Sequence, residues 1–157
     1  MRGETQAVHL LKMMQKHKLY PEYELALPFI VVKKNSLKKL SKSDILLLGL
    51  DSLKMILLEE GEICANVVMD ESEKSSKIRI VRLNKSTIEQ NNNKKYETIK
   101  ISFGMIQSRT LEVGHQIETA QLNLQEVSLH VNGKNIAKGS LVNVDEEIAI
   151  QIDEVIQ

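Results

Sequence analysis

The stretch HVNGKNIAKGSL, residues 130–141, holds two glycines and two lysines within seven positions. Glycines beside lysines are the material of phosphate-binding loops, so a nucleotide enzyme is the first chemistry to test. A P-loop needs G-x-x-x-x-G-K-[ST] after a strand and at the start of a helix. Here Asn135 follows Gly133-Lys134, Ser128 stands five places before Gly133, and the next residues, IAKGSLVNV, are β-branched and not helix-opening. A tight hairpin fits better. Val127, Leu129 and Val131 alternate with Glu126, Ser128 and His130. Asn132-Gly133 is the preferred pair for a type I′ turn, whose two central residues need positive φ. That turn sets Val131 opposite Lys134 and Leu129 opposite Ile136, and Gly139 in the return strand marks a bulge or a close backbone approach.

Other reactive groups are scattered. Cys64 is the single cysteine, lies in the apolar run EICANVVM, and reads as a small core residue. A catalytic cysteine would need a histidine partner, and the spread of His9, His17, His115 and His130 does not supply one. Asp145-Glu146-Glu147 is a charge run before a strand, hence a turn. Glu89 and Asn92 have a spacing used in some response-regulator phosphatases, but they fall in a polar linker. The sequence contains no zinc, calcium-loop or nucleophile-elbow motif. No enzymatic activity, no cofactor and no metal are expected.

The elements around these residues follow from their rhythm. Thr5 to Lys18 carries an apolar stripe, Ala7, Leu10, Leu11 and Met14, at helical spacing, and Tyr20-Pro21 ends it. From there the pattern is β: LALPFIVVKK, DILLLGL, LKMILLEEGEICANVVM and SKIRIVRL, then TIKISFGMI, HQIETAQL, LQEVSLHV, NIAKGSLVNV and IAIQIDEV. NSLKKLSKSD suits one or two helical turns. Residues 85–96, with three consecutive asparagines, have little to bury and read as a flexible tether. The longest apolar stretch, Ile45–Leu50, is far short of the roughly 20 residues of a membrane span. With no signal-peptide core at the start and a lone cysteine, a reduced cytoplasmic setting is expected.

The two sides of the tether repeat each other. An offset of 72 sets Ile45 on Ile117, Leu50 on Leu122, Leu57 on Leu129, Gly61 on Gly133 and Ala65 on Ala137. A one-residue slip sets Leu40 and Ser43 on Leu111 and Gly114. A two-residue slip the other way sets Ile78 and Ile80 on Ile148 and Ile150. In the first copy Glu60-Gly61 takes the place of Asn-Gly, so its turn is weaker or of another kind. A β unit of about 60 residues is marginal alone. The fold expected is therefore mainly β: an N-terminal amphipathic helix (1–21), a first unit (22–84), the linker (85–96) and a second unit (97–157), the two units burying each other as an intramolecular pseudo-dimer.

The second copy resembles the SPOA (surface presentation of antigens) domain, found in the flagellar motor switch proteins FliM and FliN and in type III secretion ring proteins. Leu111, Gly114, Ile117, the run Val131-Asn132-Gly133-Lys134, Ile136, Ala137 and Gly139 match its pattern, as do Val142, Val144, Ile148, Ile150 and Ile152. The first copy matches more loosely, keeping Ser43-Asp44 and Gly61. A tandem of two such domains implies an intertwined β dimer made within one chain, and a structural protein of a flagellar or type III secretion cytoplasmic ring. The implied partners are other ring subunits and an ATPase-linked stalk protein, with the membrane reached only through the assembly and no nucleic acid bound. The resemblance assigns no partner-binding residue.

Charge suggests one alternative. Residues 1–42 carry nine Lys/Arg against three Asp/Glu, and residues 110–157 two against eight. The basic flank Lys33, Lys34, Lys38, Lys39 and Lys42 would suit a swapped-hairpin DNA-binding protein, a transcription regulator. Scarce aromatics and the acidic second half speak against it.

Overall fold

The computed structural model describes residues 20–50, 52–69, 77–86, 94–119 and 122–156. The amphipathic stripe of residues 5–18 and the middle of the tether, 87–93, lie outside them. Among the described residues, eleven strands and one short helix follow in order: β1 (Glu22–Ala26), β2 (Ile30–Lys33), α1 (Lys34–Lys38), β3 (Ile45–Leu50), β4 (Lys54–Glu59), β5 (Glu62–Met69), β6 (Lys77–Ser86), β7 (Tyr96–Gln107), β8 (Gln116–Glu118), β9 (Glu126–Val131), β10 (Lys134–Val144) and β11 (Glu147–Val155). The fold is mainly β, as the alternation implied, and every pairing is antiparallel.

One sheet runs β3-β11-β10-β9-β7-β1-β4-β5-β6-β8, with β2 beside β7. The order follows from where the apolar residues must go. One buried cluster draws side chains from both ends and the middle of this path, including Leu25, Leu57, Ile78, Ile80, Ile101, Leu129, Ile150 and Ile152. A sheet whose far ends share a core must fold over on itself, so that its halves face each other.

The strand order reads alike from both ends. Leu57 pairs with Ala65 and Leu129 with Ala137; Leu83 pairs with Ala65 and Val155 with Ala137. Every one of these positions shifts by 72. The irregularities repeat too. Cys64 is the extra residue opposite Leu57/Leu58, and Ile136 is the extra residue opposite Leu129/His130. Val81 and Asp153 bulge out of β6 and β11 in the same way.

The structure corrects several expectations. Leu129 faces Ala137 and not Ile136, because the bulge at Ile136 takes up one residue after the turn. The two-residue slip does not exist: Val67 pairs with Ile80 and Gly139 with Ile152, so Ile80 corresponds to Ile152 and Ile78 to Ile150. The one-residue slip extends further than expected, since Ile78 faces Ile117 and Ile150 faces Leu46, making Leu46 and not Ile45 the counterpart of Ile117. LALPFIVVKK is two strands; Pro28 has no N–H to give and restricts Leu27, and the chain breaks there before rejoining β7 through β2. The tether is shorter than residues 85–96, because Lys85 and Ser86 extend β6 and Tyr96 opens β7.

The most consequential feature is a crossing. β3, from the first copy, pairs with β11 of the second; β8, from the second copy, pairs with β6 of the first. The chain enters each edge strand through matching turns. Ser43 (φ 77) and Gly114 (φ 90) both lie in the left-handed region. Ser43 N–H donates to Ile152 O at 2.7 Å, and Gly114 N–H donates to Ile80 O at 2.7 Å. Ile152 and Ile80 return the bond through their own N–H groups to Asp44 O and His115 O, at 2.8 and 3.0 Å.

Candidate interaction surfaces

The glycine-lysine stretch is a hairpin. Asn132 (φ 52) and Gly133 (φ 79) form its tip, and Lys134 and Lys138 are exposed on the strand that follows. Gly139 serves close packing: a Cβ there would lie 2.5 Å from Ile150 Cγ2 and 2.7 Å from Gln151 O. Glu60 (φ 50) and Gly61 (φ 84) adopt the same turn in the first copy, in spite of the glutamate. Asp145 and Glu146 form the positive-φ turn between β10 and β11.

Among the described residues, no group of three or more His, Cys, Asp or Glu side chains is placed to hold a metal. Cys64 is buried and its thiol donates to Leu57 O at 3.4 Å. Burial, and secondly Glu59, push its pKa up, which disfavours the reactive thiolate. Glu89 and Asn92 lie outside the described residues.

Among the described residues, two grooves and one strand edge bear most on partner binding. The first groove, of about 680 Å³, runs over β7, β9 and β10 and is lined by Glu24, Ser102, His130, Lys138 and Asp153 among others. Glu24 accepts from Lys100 Nζ at 2.8 Å and from Ser102 Oγ at 2.7 Å. Glu24 faces Leu58 and Lys100 faces His130, which are counterparts at the offset of 72. Glu24 and Lys100 thus occupy the same place in the two copies and meet with opposite charge. Partial burial, and secondly Lys100, lower the pKa of His130, while Glu24 opposes them.

The second groove, about 550 Å³, lies between α1 and the tip of β9–β10. Leu37, Leu40, Val131, Ile136, Val155 and Ile156 make it apolar, and Lys34, Lys38 and Lys134 stand at it. The hairpin signature therefore lines a surface as well as turning the chain. The basic flank singled out for DNA surrounds this helix, where Lys34 sits 3.6 Å from Glu97.

The strand edge is β3. Ile45 and Leu47 are 51% and 59% exposed. The alternation of β3, with Leu46 and Leu48 packed on the core, separates its two faces. Likewise nothing in the separate stretches foretold Glu24 meeting Lys100, because that contact depends on pairing across 76 residues.

No helix among the described residues is long and apolar enough to cross a membrane. A family model described as the SepQ protein C-terminal domain matches residues 45–156, from the first residue of β3 to the residue after β11. No curated protein matches the chain.

Proposed function

The chain belongs to the family of the SepQ protein C-terminal domain, and from that membership we propose that it is a non-enzymatic structural subunit of a type III secretion cytoplasmic ring. SepQ is a type III secretion cytoplasmic ring protein, which favours the secretion branch of the SPOA resemblance over the flagellar one. The chain acts through assembly and binds no cofactor; it sits in the cytoplasm and reaches the membrane only through its partners.

One observation carries the architectural part of this reading: the exchange of β3 and β8. Two SPOA-like units, 22–84 and 97–157, form an intertwined pseudo-dimer in which each half of the sheet is completed by the other unit's strand. The Glu24–Lys100 contact supports it. At a place where the two units meet like to like, identical units would oppose two glutamates or two lysines; these units oppose one of each. Surface ion pairs contribute little stability, from about 0 to 1 kcal/mol, and this one is only partly buried, yet like charges would oppose the wrong pairing.

The partners are other ring subunits and an ATPase-linked stalk protein. The groove beside α1 is the surface offered to them, since an apolar floor flanked by Lys38 and Lys134, with Lys34 paired to Glu97, suits an acidic amphipathic segment. The test is affinity capture of the tagged full chain from its native cell, with the recovered proteins identified by mass spectrometry. Ring and stalk components are expected with the wild type, and Leu37→Glu should reduce the stalk protein by at least about tenfold. Recovery of no secretion component would sink the assignment.

A further inference from the structure

We propose that β3 is a self-association edge, pairing antiparallel with β3 of a second copy of this chain. Among the described residues, β3 hydrogen-bonds to β11 on one side and to no strand on the other. A free edge alone is common. What singles this one out is the comparison the chain makes with itself. Leu46 of β3 and Ile117 of β8 hold the same register place, facing Ile150 and Ile78. The outward positions flanking them are Ile45 and Leu47 on β3, and Gln116 and Glu118 on β8. The fold therefore accepts Gln and Glu at these positions, and the exposed apolar pair on β3 is not required for folding.

The two ends of the sheet are also guarded differently. β8 has three residues, two of them polar and outward; β3 has six, none charged. Short, charged edges resist pairing and long apolar ones invite it. A second β3 is the occupant that matches best. Antiparallel pairing about a two-fold normal to the sheet puts directly opposed residues on the same face. With Leu46 opposite Leu46, Ile45 of each copy meets Leu47 of the other. Pairing β3 with β8 instead would set Glu118 against an apolar side chain. The association consequently closes at two copies. Gly49 (φ 70) ends the straight part of the strand, so the interface is small and the dimer reversible.

The dimer rests on the strand edge and not on the secretion assignment, and either can fail alone. Sedimentation velocity of the full chain from about 1 to 100 µM tests it. The wild type should pass from monomer to dimer and stop. The variant Ile45→Gln/Leu47→Glu, which installs the residues of β8, should weaken association by at least about tenfold while far-ultraviolet circular dichroism and the melting temperature stay unchanged. Should that variant unfold, Leu47→Gln alone carries the same test. A wild type monomeric throughout, a variant that dimerises like the wild type, or growth past two copies would overturn the proposal. The last would point to the exposed Val81, Leu83 and Val113 at the opposite end of the sheet.

Discussion

At Glu60 a glutamate holds φ 50, where its counterpart Asn132 holds φ 52. Left-handed backbone costs an ordinary L-residue about 1–2 kcal/mol, and asparagine less. Glu59 also stands directly opposite Glu62, whereas the second hairpin opposes Val131 and Lys134. Glu60→Asn should therefore stabilise the chain by about 0.5–1 kcal/mol, read as a melting temperature about 1–4 °C higher. His130 gives a pH dependence. Its folded pKa lies below the ordinary value, so between the two values the unfolded chain binds more protons than the folded one. This contribution is fully present above about pH 6.5 and is lost as pH falls toward the folded pKa. Thermal melts from about pH 7 down to about pH 5 should show falling stability, and His130→Gln should flatten that slope. Single residues were legible in the sequence where backbone chemistry is local, as at Asn132-Gly133. They were illegible where register intervenes. Nothing in HVNGKNIAKGSL says that Ile136 bulges, because the bulge is settled by Ala137 packing opposite Leu129.

Among the elements, strand-forming runs were readable because Ile, Leu and Val recur at strand spacing, and the helical turns of NSLKKLSKSD appear as α1. Their limits were set by neighbours. SKIRIVRL alternates only as far as Ile80, after which the Val81 bulge leaves Arg82 and Leu83 both exposed. HQIETAQL contains just the three-residue β8, since only Gln116–Glu118 lies along β6. The repeat was visible as an offset of 72, but its slips were misplaced where matching isoleucines recur two residues apart. Pairing registers resolve them: β6 and β11 follow the offset of 72, and the segments entering β3 and β8 follow 71, with Ser43 and Gly114 making equivalent bonds.

At the scale of the whole molecule, the claim is that neither half is complete. Each lacks an edge strand that the other supplies, and both share one buried cluster. A duplicated pattern cannot reveal this from sequence, because side-by-side units and exchanged units have the same repeat. On the proposed reading, the exchange is what holds two units of marginal size together. The most direct measurement is to place a protease site between residues 87 and 93, cleave the folded full chain, and follow the fragments by native mass spectrometry. The halves should remain together as one particle with the mass of the uncut chain plus one water, separating only in denaturant. Release of two folded, independent monomers under native conditions would contradict the account.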